Sequence, residues 1–188
     1  MINSNQKLSN YLRKTFETAS SHQYPKGSPT SMDNKALMNK FYTSFIKKDS
    51  KAMGECYHSD IVFKDPVFGT LKGDRACRMW QMLLTYKKED LKISYDIADV
   101  TDEKGKVNWV AEYHFGEKYR KVINNVSGEF KFKDGKIIEH IDTFNMWKWS
   151  KQAMGTVGYL IGWTPFMKNK IQKSTNKKLD YFIAGQRS

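Results

Sequence analysis

The amino-acid sequence predicts an α+β fold in which a long, curved and mostly antiparallel sheet packs on helices. Apart from one short strand, apolar residues recur with a helical period up to about Lys88 and with the two-residue period of a strand from there to about residue 147. The later strand candidates are joined by connections of only a few residues, so consecutive strands must pair antiparallel. Helices followed by a run of strands are typical of an α+β domain.

Three helices and one short strand are predicted before the strand-rich part. Each helix carries an apolar stripe, and acidic residues stand at the capping positions of the second and third. The strand shows alternation and is ended by Pro66 and Gly69. The predicted ranges are 34–47, 50–57 and 74–84 for the helices and 61–65 for the strand.

Four further strands are predicted as a meander in which every connection carries turn residues. The connections are Asp102–Gly105, Gly116–Lys118 and Lys133–Gly135, each of which contains glycine. The predicted strands cover residues 91–100, 106–115, 119–132 and 136–147.

Length and charge divide the chain of 188 residues into one domain with two appendages. Residues 1–32 form an N-terminal appendage with a Pro/Gly/Ser-rich linker, residues 33–147 the domain, and residues 148–188 a basic C-terminal extension with a helix over 168–182. Most of the net charge of +12 is at the ends: residues 146–188 carry eight basic residues and one acidic residue, whereas residues 33–145 carry 20 basic and 18 acidic. A nearly neutral body argues against nucleic-acid binding.

Several other classes of protein are disfavoured by what the sequence contains. No apolar run approaches the length of a membrane span, and the first residues do not resemble a secretory signal, so we expect a soluble, cytoplasmic protein. Cys56 and Cys77 are interpreted as buried free thiols. The histidines lack the spacing of metal ligands, so neither a metal nor another cofactor is expected.

Residues 34–147 resemble the SnoaL-like branch of the nuclear transport factor 2-like superfamily. The resemblance rests on three motifs in a matching order: Phe41–Phe45 followed by Lys48-Asp49, Ile61–Gly69 followed by Gly73, and Phe132–Asp142. It implies a cone of curved sheet closed by three helices, a cystatin-like fold, with a pocket at the open end. Members include ketosteroid isomerases, polyketide cyclases, epoxide hydrolases, dehydratases and binding domains without catalysis, so the fold does not specify the function.

The resemblance also implies candidate catalytic residues. Asp65, before Pro66-Val67, matches the general base of ketosteroid isomerases, and Asp142 matches the acid/base aspartate on the last strand of the SnoaL cyclases. The two oxyanion donors of the isomerases are not matched, because Phe41 and Gly128 stand at their places. Without such donors an enolate is not stabilised, so ketosteroid isomerisation is disfavoured.

Alternation along the last strand supports the same site independently. His140, Asp142 and Phe144 share one face with Ile138, and an aspartate among apolar residues needs a partner or a raised pKa. His140 could orient or protonate Asp142. The alternative is that His140 and Asp142 form a satisfied internal network or contact a dimer partner. For Asp65 the alternative is a local role in capping the turn at Pro66.

Further side chains are candidates for contact with a ligand. Aromatic residues on the third predicted helix and on the predicted strand over 106–115 should line the interior, and Asn124 would be a polar group among them. Packing in the core is the alternative for the aromatic residues. The candidate ligand-binding residues are Trp80, Trp109, Tyr113, Asn124 and Phe144.

Three functions remain open at this point. The first is a SnoaL-like domain that binds an apolar small molecule without turnover, alone or as a homodimer through the sheet. The second is a cofactor-independent isomerase, cyclase, dehydratase or hydrolase that uses Asp65 and Asp142. The third is a module for a membrane surface or another anionic partner, through the basic C-terminal helix. For that helix we favour packing of its apolar residues on the domain.

Overall fold

The computed structural model describes residues 30–86, 90–162 and 164–186, and these residues confirm the predicted α+β fold. Most of the N-terminal appendage, including nearly all of its linker, lies outside the described residues. The helices are α1 (Ser31–Ile46), α2 (Ser50–Glu55), α3 (Asp74–Tyr86), α4 (Met146–Met154), α5 (Thr156–Ile161) and α6 (Pro165–Gly185). The strands are β1 (Tyr57–Asp65), β2 (Gly69–Lys72), β3 (Lys92–Val100), β4 (Lys104–Phe115), β5 (Arg120–Lys133) and β6 (Lys136–Phe144).

The six strands form one sheet in the order β2-β1-β6-β5-β4-β3. The meander from β3 to β6 is antiparallel, as predicted, and its last turn has positive φ at both Asp134 and Gly135, which is the geometry of a two-residue hairpin loop. The exception to antiparallel pairing is that of β1 with β6, which is parallel. Through this pairing β1 and β6, the first and last strands along the chain, become neighbours in the sheet.

Two local predictions were wrong around β1. The second helix ends at Glu55 rather than at Tyr57, and Tyr57 is the first residue of β1. The strand signal was hidden by an irregularity in the pairing of β1 with β6. Tyr57 pairs with Ile137 and Val62 pairs with Glu139, so β1 advances by five residues while β6 advances by two. The extra residues of β1 break the alternation that reveals a strand. The short strand β2, which pairs with β1 as a hairpin, was not predicted.

Helix α1 begins as its sequence indicates, and its apolar stripe enters the core. Thr30 and Asp33 form a reciprocal capping box at its start. Phe41 and Phe45 are buried against the sheet, together with Tyr42. Asp49 caps α2 through the amide of Ala52, as predicted.

The C-terminal extension packs on the rest of the fold. The predicted strand over 136–147 ends at Phe144, where Asn145 caps α4. On α6, Leu179 is completely buried in the main core, and Phe182 and Ile183 pack against that core. Side chains of α6 also bond to the β1–β2 turn: Gln172, Thr175 and Asn176 donate to the carbonyl oxygens of Pro66, Val67 and Phe68 at 2.8–3.0 Å.

Within the described residues, no helix combines the length and the apolar character that crossing a membrane requires.

Candidate functional site

The pairing of β1 with β6 places Asp65 and Asp142 side by side. Phe63 pairs with His140 and Lys64 with Ile141, so the same register continued by one residue brings Asp65 beside Asp142. Neighbouring strands lie about 4.8 Å apart. Phe63 and His140 are buried on the inward face, and residues two positions further share that face. Both carboxyl groups therefore point into the interior of the cone.

Asp142 is part of a buried chain of hydrogen bonds. The Trp80 indole Nε1 donates to Tyr57 Oη at 2.8 Å, and Tyr57 Oη lies 2.7 Å from His140 Nδ1. His140 Nε2 lies 3.1 Å from Asp142 Oδ1, and the same oxygen accepts a hydrogen bond from Trp109 Nε1 at 3.1 Å. Two of the predicted ligand-binding residues thus hold His140 and Asp142 in place: Trp109 bonds to Asp142 directly, and Trp80 acts through Tyr57.

The protons in this chain can be assigned from its donors. Tyr57 Oη already accepts from Trp80, so its own hydrogen is directed to His140 Nδ1. Burial raises the pKa of the Tyr57 phenol well above its usual value, which keeps this donor protonated. With Nδ1 accepting from Tyr57, His140 Nε2 is the donor in the hydrogen bond to Asp142 Oδ1. The hydrogen bonds to Asp142 from His140 and Trp109 both end on the same oxygen, Oδ1.

The His140 ring is fixed by aromatic neighbours on several sides. It stacks on Phe130 with 4.3 Å between centroids and lies parallel to Trp80 at 6.2 Å. Phe41 and Phe63 meet it edge-on at 5.5 and 5.2 Å. These contacts prevent the imidazole from turning and exclude water, so the orientation of the His140–Asp142 pair is set by packing.

Asp65 caps the turn that follows β1. Its Oδ1 accepts hydrogen bonds from the amides of Val67 at 3.0 Å and Phe68 at 2.5 Å, which is the local role that the sequence left open. Burial raises the pKa of Asp65 to about 7; the nearby charge of Asp142 adds to this rise, and the amide donors oppose it. Asp65 therefore combines a structural role with a carboxyl group that titrates near neutrality.

The open end of the cone is covered by α4. Trp149 is buried there with Val122 and Ala153, and its indole donates to Tyr113 Oη at 2.8 Å. Burial raises the pKa of the Tyr113 phenol, and the hydrogen bond from Trp149 lowers it. The charge of the nearby Asp65 raises this pKa further. Tyr113, proposed from sequence as a ligand contact, lies between the carboxyl pair and the covering helix.

The remaining sequence candidates lie on the inward face near this end. Asn124 is half-buried on β5 opposite Ala111, and Phe144 is half-buried at the end of β6. Gly128 pairs with Asp142, and a Cβ at this position would lie 3.0 Å from Asp142 Oδ1. The absence of a side chain at Gly128 therefore makes room for the carboxyl group.

Sequence reasoning missed Tyr42 as a site residue. Its side chain is buried, stacks on Tyr95 at 4.8 Å, and its hydroxyl has no hydrogen-bond partner among the described residues. Burial raises the pKa of the Tyr42 phenol well above its usual value, and the charge of Asp142 adds to the rise. Tyr42 follows Phe41 in a broad apolar stripe, and no pattern there separates a tyrosine that fills the core from one that faces a site.

Two concavities of about 540 and 560 Å³ lie elsewhere on the described surface. One is at the β3–β4 turn, and the other crosses the sheet through outward-facing residues such as Ser94, Asn108 and Ser127. Neither is lined by Asp65 or Asp142. Among the described residues, no cluster of three or more His, Cys, Asp or Glu is arranged to hold a metal ion.

Comparison with known proteins identifies relatives of the domain. The profile of the SnoaL-like domain matches residues 38–140. A search of curated proteins finds no significant match.

Among solved structures, an LEH-like epoxide hydrolase from M. tuberculosis matches with a TM-score of 0.53 and 16% identity, over 69% of this chain and 96% of that chain. An NTF2-like protein from Burkholderia xenovorans LB400 matches with a TM-score of 0.55 and 16% identity, over 68% and 99%. TerC, co-crystallised with polyporic acid, matches with a TM-score of 0.52 and 14% identity, over 60% and 92%. Identities of this size show a common fold alone.

Proposed function

Because this chain belongs to the SnoaL-like domain family, we propose that it binds an apolar small molecule in the cone, oriented by Asp142 and Asp65. The proposal is supported by the register of β1 and β6, which, continued by one residue, brings Asp65 beside Asp142 on the inward face of an aromatic interior. Small-molecule sites are typically apolar with a few convergent polar groups.

The polar groups indicate which ligand chemistry fits. Asp142 Oδ2 can accept a hydrogen bond from a hydroxyl or enol group. With a pKa of about 7, Asp65 can donate to a carbonyl oxygen while it is protonated. The Tyr42 hydroxyl is a further donor on the same interior. An apolar, ring-containing compound that carries both a hydroxyl and a carbonyl group would satisfy these side chains and stack on the surrounding aromatics.

Acid/base catalysis is a second candidate, and the pKa of Asp65 favours it. Pairs of titratable groups held in different environments are typical of acid/base sites, and a carboxyl with a pKa of about 7 is suited to exchange protons at neutral pH. In this scheme Asp142 Oδ2 takes a proton from a carbon next to the substrate carbonyl. Asp65 gives a proton to the carbonyl oxygen, which forms an enol. In an isomerisation Asp65 takes this proton back while Asp142 delivers the other proton to a different carbon of the substrate. In a cyclisation the enol carbon bonds to a second carbonyl carbon, whose oxygen takes up the proton from Asp142 while Asp65 recovers its own; neither reaction changes the overall oxidation state.

The binding proposal can be tested with Asp142→Asn. The asparagine keeps an oxygen at Oδ1 for His140 and Trp109 and replaces the Oδ2 acceptor by a donor. Polyporic acid and a panel of apolar hydroxy-ketones are suitable probes, titrated by calorimetry. We expect wild type to bind and Asp142→Asn to bind about tenfold more weakly, as the loss of one buried hydrogen bond implies. Asp96→Asn, on the exposed face of β3, is the control with the same loss of charge. Equal affinities in all three proteins would contradict the proposal.

Turnover separates the two candidates. Mass spectrometry of each bound compound after incubation shows whether wild type converts it. A product that wild type forms and Asp142→Asn does not, with binding retained, would establish catalysis. If bound compounds are recovered unchanged from wild type, the chain is a binding domain.

A further inference from the structure

Helix α5 packs on α4 through glycines rather than through apolar side chains. A Cβ at Gly158 would lie 1.9 Å from the Ser150 carbonyl oxygen, and one at Gly162 would lie 2.3 Å from Ser150 Cβ. The two backbones are therefore in direct contact along this face. The side chains of Val157, Tyr159 and Leu160 on α5 are exposed.

These side chains form an exposed apolar surface, called the outer patch. Leu160 is 67% exposed and Phe166, in the first turn of α6, is 70% exposed. The Trp147 indole donates to the Tyr159 carbonyl oxygen, and the two rings lie 5.8 Å apart, so α4 contributes to the same surface. Clustered exposed apolar residues mark interaction sites. The outer patch consists of Trp147, Val157, Tyr159, Leu160 and Phe166.

The charged residues in the segment that carries the outer patch are all basic. Residues 146–170 contain four lysines and no aspartate or glutamate. Lys151 Nζ lies 5.8 Å from the centre of the Trp147 ring and 5.6 Å from that of Tyr159. Lys148, Lys168 and Lys170 are exposed beside these residues in the sequence. A surface that combines tryptophan, tyrosine, leucine and phenylalanine with lysines is complementary to the interface of an anionic bilayer.

We propose that the outer patch binds the surface of membranes that contain anionic lipids. Leu160, Phe166 and Val157 would enter the boundary between headgroups and acyl chains, Trp147 and Tyr159 would lie at headgroup level, and the lysines would contact lipid phosphates. This site differs from the one considered from the sequence alone. On α6, the apolar residues Ile171, Leu179, Phe182 and Ile183 pack on the domain, so they are not available to a membrane. The proposal is independent of the proposed function, because none of its residues contacts Asp65 or Asp142.

Vesicle sedimentation of the full chain tests the proposal. The vesicles are phosphatidylcholine alone and phosphatidylcholine with about 30% phosphatidylserine. We expect binding to the anionic vesicles only, and release when the salt concentration is raised to about 0.5 M. Leu160→Asp and Phe166→Asp should each weaken binding by about tenfold or more, since a charge replaces an inserted apolar group. Both side chains are exposed, so neither change should disturb folding.

Met32→Asp is the matched control. Met32 is 81% exposed on the first turn of α1. That turn lies at the opposite end of the cone, because Asn34 donates to the carbonyl oxygens of Thr101 and Asp102 at the β3–β4 connection. The Met32→Asp variant should bind vesicles as wild type does. Absence of wild-type binding, or equal weakening by Met32→Asp, would overturn the proposal. So would sedimentation that shows a dimer broken by Leu160→Asp without vesicle binding, because the outer patch would then join two copies of the chain.

Discussion

Replacement of Asp65 by asparagine should make the fold more stable at pH 8 and leave it almost unchanged at pH 4. Burial raises the pKa of Asp65 from 3.8 to about 7 in the folded chain. Between these values the folded state binds more protons than the unfolded state, so the free energy of unfolding falls as the pH rises. This loss of stability is complete at pH values above the pKa of Asp65 in the folded chain. Asparagine keeps an oxygen for the amides of Val67 and Phe68 but carries no charge.

The size of the effect follows from the two pKa values. A change from 3.8 to about 7 corresponds to about 4 kcal/mol at about 1.4 kcal/mol per pH unit. Asp65 is only partly buried, and water screens part of its charge. We therefore expect Asp65→Asn to exceed wild type by about 2 to 3 kcal/mol in free energy of unfolding at pH 8.

The assay is urea unfolding of wild type and Asp65→Asn at several pH values between 4 and 8. The difference between the two proteins cancels the titration of all other groups. Asp96→Asn controls for the loss of one negative charge at the surface. If the difference between wild type and Asp65→Asn does not change with pH, the carboxyl group is not held in an apolar environment. A variant that is less stable than wild type at pH 8 would also refute the reasoning, because the charge would then stabilise the fold.

Three other substitutions test the packing of the site and the extension. Gly128→Ala should destabilise the fold by about 1 to 3 kcal/mol in urea unfolding, because its Cβ would meet Asp142. Tyr57→Phe should cost about 1 to 3 kcal/mol and leave His140 Nδ1 without its donor, visible as a shift of the imidazole nitrogen resonances. Gly158→Ala should lower the melting temperature by several degrees, because its Cβ would clash with the α4 backbone. Gly54→Ala, which would make only ordinary contacts in α2, should not lower it.

Features that depend on local period and turn chemistry could be predicted from the sequence. The change of period after Lys88 predicted helices followed by an antiparallel meander, and glycine and aspartate marked the connections. Alternation along β6 placed His140 and Asp142 on one inward face. Each of these features is a property of one segment, whose side-chain directions are set by its own backbone geometry.

The way in which distant segments meet could not be predicted from the sequence and is known from the structure. The parallel pairing of β1 with β6 places Asp65 beside Asp142 across more than seventy residues of sequence. The bond of Trp149 to Tyr113 closes the cone, and the outward side chains of α5 follow from the direct contact of its glycines with α4. Such contacts depend on strand pairing and helix packing between elements. A local pattern reports which face of an element is apolar, but it does not report which other element covers that face.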